Sequence, residues 1–195
     1  MVKRLAITVL AENTVIRGGL LAEHGLALWV ESLDWLASRV GRIFSTRANP
    51  VELSAGVWLT GQIPRHHDCE DTGGSFFLDE SLTELDAIID DQALYVKTGN
   101  GIVVLLGCAH AGVANTLDHV CASTGEDRIH AVLGGMHLLN ANERRLDRTS
   151  QRLRDLAVQR IGLAHCTGFG PMVRLYQELP YRCFQCASGM RVQFE

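Results

Sequence analysis

Apolar positions along the chain fall into two regimes. Through the first half they come as short strand-like runs. Beyond "GIVVLLGC" (101–108) they become strands alternating with helix-spaced segments. "RLAITVLAE" predicts a first strand and "GLALWVE" a second, with a glycine-rich turn at Gly18 and Gly19 between them. Residues 33–45, "LDWLASRVGRIFS", are ambiguous, with helical spacing at Leu33, Leu36 and Val40. "GVWLTG" predicts a short strand, whereas the polar, irregular stretch 66–90 predicts a long functional loop rather than core. "DQALYVKT" and "GIVVLLGC" predict a hairpin whose tight turn is supplied by Asn100 and Gly101. Next come an amphipathic helix in "AGVANTLDHVCAST" and a strand in "IHAVLGGMHL". "NERRLDRTSQRLRDLAVQR" predicts a helix that buries Leu146, Leu153, Leu156 and Val158. "IGLAHC" reads as a strand, "GPMVRLYQEL" as a short helix and "GMRVQF" as a last strand. This succession predicts layered α/β architecture with helices packed on a sheet.

Composition narrows the function. The 195 residues suit one domain with a real core, and 47% hydrophobic against 21% charged residues is globular. A net charge of −4 without any basic run excludes nucleic acid as the expected partner. No stretch approaches the ~20 apolar residues of a membrane span. The first residues faintly mimic a signal peptide, but the apolar run is short, ends at Glu12 and Asn13 and lacks a cleavage site. A cytoplasmic protein is the expectation. Six scattered cysteines then read as buried thiols rather than disulfides. The Cys183–Cys186 pair has zinc-ligand spacing, but without a second pair it is a weak signal.

The chemistry concentrates at strand ends. His110 follows "VVLLGCA", His137 follows "AVLGGM" and His165 follows "IGLA". In an α/β layer the carboxyl ends of such strands are where ligands sit. Three imidazoles on one rim are what a transition-metal site requires. Small neighbours such as Gly107, Gly112, Gly134, Gly135 and Gly168 leave room for an ion and a substrate. Taken singly, each histidine reads as an ordinary hydrogen-bonding residue; the repetition in successive strand units favours a site. His66, His67 and Asp68 are secondary candidates from the polar loop, and Asp91 is another. His119 and His130 read as helix-surface and strand-start residues.

The segments "ITVLAENTV", "GLLAEHGLAL", "GVWLTGQIPR", "EDTGG", "DDQALYVKT", "GIVVLLGCAHAGVANTL", "VLGGMHL" and "LAHCTGFG" together resemble the metallo-β-lactamase fold superfamily. Within it they are similar to the branch of dihydropterin-ribofuranosylaminobenzene-phosphate-synthase-like metal-dependent hydrolases. The resemblance implies an αββα sandwich with one or two metal ions at the rim between its sheets. It places metal ligands at His110 (the isolated-histidine motif) and at His165 (the last ligand, in "HCTG"). His137 falls where many relatives outside the branch carry a bridging aspartate. The superfamily's main motif, H-x-H-x-D-H, is absent from the chain. Roughly 60 residues, two strand–helix units, are missing with it, as though by an internal deletion near residue 32 of one truncated domain spanning 1–195.

The implied function is a metal-dependent hydrolase that uses metal-activated water on a small ester or phosphoester-type substrate, with an incomplete site. Zinc is the expected ion, with manganese or iron as alternatives, and the chain would hold one ion at most, or none. No catalytic residue is assigned; Asp68, Glu70 and Asp91 are candidates to stand in for the lost aspartate. The alternative is a non-catalytic remnant that binds a small molecule or oligomerises. Lost strands leave sheet edges open, which favours a homodimer. Trp29, Leu33, Trp35 and Leu36 at the junction are candidates to cover exposed core or to form that interface.

Overall fold

A computed structural model describes residues 2–11, 27–32, 48–72 and 74–194. The turn at Gly18 and Gly19, the ambiguous segment 33–45 and the junction near residue 32 with Leu33, Trp35 and Leu36 lie outside the described residues. Ten strands and three helices are described: β1 Leu5–Ala11, β2 Ala27–Ser32, β3 Val51–Ser54, β4 Val57–Leu59, β5 Ala93–Thr98, β6 Gly101–Leu106, α1 Val113–Thr124, β7 Ile129–Gly135, α2 Glu143–Asp155, β8 Arg160–Ala164, α3 Phe169–Glu178, β9 Cys183–Gln185 and β10 Arg191–Phe194.

β3 to β9 form one seven-stranded sheet in chain order, antiparallel from β3 to β6 and parallel from β6 to β9. Each parallel step is spanned by one helix, as crossover connections require. β10, β1 and β2 form a smaller antiparallel sheet in which Leu5 pairs with both Phe194 and Ser32.

Every residue of β6 is buried because both of its faces are covered. Ile102, Val104 and Leu106 pack with Leu117, Val120, Leu153 and Leu175 on the helical side. Val103 and Leu105 pack with Leu5, Ile7, Val192 and Phe194 of the small sheet. Among the described residues the layers therefore run α/β/β, and a second helical layer is not among them.

Several local expectations shift. The hairpin turn is Gly99–Asn100, since Thr98 already pairs with Gly101. Gly101 takes φ +121°, and a side chain there would run into the Arg128 carbonyl. The four-residue strand β3 and the three-residue strand β9 depart from what the pattern predicts. α2 ends at Asp155, so Val158 is buried beyond the helix rather than on it, while Arg145, Thr149 and Ser150 occupy buried helical positions. The Asn142 side chain caps α2 by accepting from the Arg145 amide at 2.9 Å.

Candidate metal centre

Because β6, β7 and β8 are parallel, their carboxyl ends share one edge, and each runs into a turn bearing one of the three histidines. All three turns contain a non-glycine residue in the left-handed region: Ala109 at φ 58°, His137 at φ 48° and His165 at φ 50°. Such conformations cost about 1–3 kcal/mol each and persist where surrounding structure imposes them, often at functional sites.

The His110 turn is held from four sides. Its carbonyl accepts from Arg65 Nη1 at 2.7 Å, and the next amide, Ala111, donates to Asp91 Oδ2 at 2.7 Å. Its Nδ1 lies 3.0 Å from the Thr72 carbonyl, and Phe76 meets the ring edge-on at 5.3 Å. A carbonyl can only accept, so this partner places the proton on Nδ1 and leaves the Nε2 lone pair for a metal. His137 lies against His110, ring centroids 4.2 Å apart.

His165 gathers instead with two thiols. The candidate donor atoms of Cys108, His165 and Cys166 all lie within 4.8 Å of one another. Among the described residues the three histidines do not draw together within that distance as a trio. Cys166 Sγ lies 3.4 Å from the Cys108 carbonyl, and the Cys166 carbonyl accepts from the Leu138 and Leu139 amides. The Met136 amide donates to Thr167 Oγ1. The turn after β8 is thus locked to the turn after β7. A Cβ on Gly135 would stand 2.8 Å from Cys166 Sγ, so the thiol occupies space that only glycine leaves. The hydrogen bond donated by the Cys166 thiol, with His165 and His110 nearby, holds the Cys108 thiol below its usual range. As the donor, Cys166 is pushed up. A cavity of about 270 Å³ opens beside this group, lined by Asp71, His137, Leu139, Asn140, Ala141 and Cys166.

The polar loop serves as a brace. Glu70, 3% exposed, accepts from the Ala114 and Asn115 amides at 2.8 and 2.7 Å, satisfying donors at the start of α1. Burial pushes its carboxyl up against those bonds. Asn115 Oδ1 accepts from the His66 and His67 amides. His67 Nε2 lies 2.7 Å from Asp118, and Asp68 pairs with Arg144 at 2.9 Å. His67 and Asp68 line a separate cavity of about 530 Å³, shared with Arg144, Arg148 and Arg154. Asp91 anchors the Ala111 amide, and burial pushes its carboxyl up. His119 meets the Thr60 carbonyl, and His130 packs edge-on against Phe194. Cys108 and Cys166, which the sequence sets beside two candidate histidines at strand ends in "GCAH" and "HC", are half-buried thiols rather than the buried ones expected.

These features can be set beside known proteins. No protein-family profile matches the chain. The fold is that of the metallo-β-lactamase superfamily: it superposes on Tm1679, described as a metal-dependent hydrolase of the β-lactamase superfamily, with a TM-score of 0.81. That match covers 96% of this chain and 98% of the other at 20% identity, so a fold of this extent is seen in a solved structure. In sequence, the chain is 30% identical over 125 residues to the 7,8-dihydropterin-6-methyl-4-(β-D-ribofuranosyl)-aminobenzene-5'-phosphate synthase of Methanocaldococcus jannaschii. It is 25% identical over 128 residues to an uncharacterized protein of that organism, MJ0448. These matches take in 62% and 66% of this chain, and 42% and 46% of the two relatives. The chain thus spans less than half the length of the curated relatives it matches.

Proposed function

We propose that this chain is a metal-dependent hydrolase acting on a small ester or phosphoester-type molecule at the rim formed by the turns after β6, β7 and β8. The observation that carries the reading is the meeting of the His110 and His137 rings, centroids 4.2 Å apart, with His137 lining a cavity that a small substrate could enter. The His110 tautomer fits a metal ligand, and the nitrogen and sulfur donors around it suit zinc ahead of manganese or iron. A bound divalent ion would supply Lewis acidity to water and to the scissile oxygen. The chain's own part is positional: Arg65 and Asp91 hold the His110 turn, Thr72 sets its ring, and Asp71, Leu139 and Asn140 border the substrate's approach.

The phosphate in the name of the archaeal synthase favours a phosphorylated substrate. Six cysteines scattered along the chain favour a reducing, cytoplasmic setting. No described helix is long and apolar enough to cross a membrane. Among the described residues β2 and β3 are sheet edges, which favours a homodimer formed by edge pairing.

The test is metal content together with turnover. Purified protein is analysed for metals and, once loaded with zinc, assayed on nitrophenyl esters and bis(nitrophenyl) phosphate. About one ion per chain is expected, with hydrolysis that falls at least about 100-fold in His110→Ala. A loaded protein that turns over neither class would sink the reading. The alternative, a remnant that binds without catalysis, has one observation in its favour, the absent H-x-H-x-D-H motif. It predicts a folded protein whose His110→Ala variant loses nothing measurable.

A further inference from the structure

The histidines alone leave an electrostatic problem. Three neutral imidazoles would place an uncompensated dication on a half-buried rim, and a buried charge is costly unless it is paired. The carboxylates of the brace are already engaged: Glu70 on two amides, Asp91 on Ala111, Asp68 on Arg144 and Asp71 on Arg145. Compensating charge is available from another source. Cys108 leaves the end of β6 and Cys166 the end of β8, and their sulfurs share one neighbourhood with a His165 ring nitrogen.

We propose that Cys108, Cys166 and His165 form a thiolate–imidazole zinc site, with the two sulfurs supplying the charge that the absent carboxylate motif does not. The proposal rests on the reading that this rim takes a divalent ion. It differs from that reading in making sulfur, rather than histidine alone, the principal ligand.

Three observations carry it. The donor atoms lie within 4.8 Å of one another, and donors on a tetrahedral zinc stand about 3.5–3.8 Å apart, so small side-chain rotations suffice. The space for the Cys166 thiol is made by Gly135, where any side chain would stand 2.8 Å from the sulfur. The backbone beneath is pinned: the Cys166 carbonyl accepts from Leu138 and Leu139, and the Gly135 amide donates to the Gly107 carbonyl at 3.0 Å. A site whose ligands are set by turns tied to one another loses little entropy on taking an ion.

The charge balances. Two thiolates and a neutral imidazole neutralise Zn²⁺, and binding releases the thiol protons to solvent. Three protein ligands would leave a fourth position open, and a cavity lined by Cys166 and His137 adjoins the group. An open fourth position is what a catalytic rather than structural zinc keeps. Two sulfur donors also select against magnesium and manganese, which prefer oxygen.

The test uses the full, reduced chain. Cobalt(II) is added in place of zinc and the near-ultraviolet sulfur-to-cobalt charge-transfer band is recorded. The band is expected in the wild type and in the Cys69→Ser and Cys121→Ser controls. It should be lost in Cys108→Ser and in Cys166→Ser, with zinc affinity falling by more than about 100-fold. Because a cysteine variant could fold poorly, the wild type is also alkylated with iodoacetamide and mapped by mass spectrometry. Zinc should protect Cys108 and Cys166 and leave the reactivity of Cys69 unchanged.

Cobalt binding without the band, with zinc retained in both cysteine variants, overturns the sulfur site and leaves the hydrolase reading standing. A disulfide between Cys108 and Cys166 that forms equally with and without zinc also overturns it. The band together with a loaded protein that hydrolyses neither ester nor phosphoester upholds the sulfur site while the hydrolase reading falls.

Discussion

Gly112 shows how a single position couples the brace to the site. It begins α1 at φ +95°, and a Cβ there would overlap the Glu70 carboxylate that caps the helix. Gly112→Ala therefore meets two penalties, a left-handed backbone that disfavours a side chain and a steric overlap with a buried, hydrogen-bonded group. We expect a loss of about 2–4 kcal/mol, read as a shift in the urea midpoint with an unchanged slope. A loss below about 0.5 kcal/mol would mean that Glu70 moves away freely and is no brace. The His110 ring is set on the same scale. Its Nδ1 faces a main-chain carbonyl that no side-chain substitution at Thr72 removes, so Thr72→Ala should leave metal content unchanged, by elemental analysis. A drop in metal would mean that the hydroxyl rather than the carbonyl orients the ring.

At the scale of elements, α2 and α3 are tied by one arginine. Arg174 donates to Glu178 at 2.6 Å and to Glu143 at 2.6 Å, and also meets Asp147. A hydrogen bond from Ser150, and then Arg174, hold the Glu178 carboxyl below its ordinary value of 4.5. The unfolded chain therefore binds more protons in that window, and stability rises with pH through it. The contribution is complete above the ordinary carboxylate value and is lost as pH falls through the folded value. Glu178→Gln should accordingly lower the urea midpoint near neutrality, and the gap from wild type should close on acidification. A gap that stays constant with pH would place the titration elsewhere. The helices and central strands were legible because burial on one or two faces imprints a period. β6 showed it most plainly, as an unbroken apolar run buried on both faces. What escaped was long-range. β9 is three residues long and exists by pairing with β8. Glu70 reaches an amide 44 residues away, and the Cys166 thiol meets a carbonyl 58 residues away. The buried Arg145, with bonds to the Asp71 carbonyl and carboxylate, looked like surface in a helix so rich in charge.

For the whole molecule, the ligands come from the ends of two strands that lie far apart in the chain. Cys108 follows β6, and His165 and Cys166 follow β8, with α1, β7 and α2 between them in the chain. An ion held there would link the ends of two strands of the folded state and have no comparable site in the unfolded chain, so its binding free energy would add to folding stability. At a free zinc concentration about 100-fold above the dissociation constant the gain is about 2.7 kcal/mol. For a protein of this size that corresponds to a rise in Tm of about 5–11 °C. Differential scanning calorimetry of reduced protein with zinc, with zinc and excess chelator, and with magnesium should show the rise in the first case only. An equal rise with magnesium would indicate oxygen ligands and turn attention to the carboxylates of the brace. An unchanged Tm in all three would mean that the strand ends carry no ion, and the fold would then hold its histidines for another purpose.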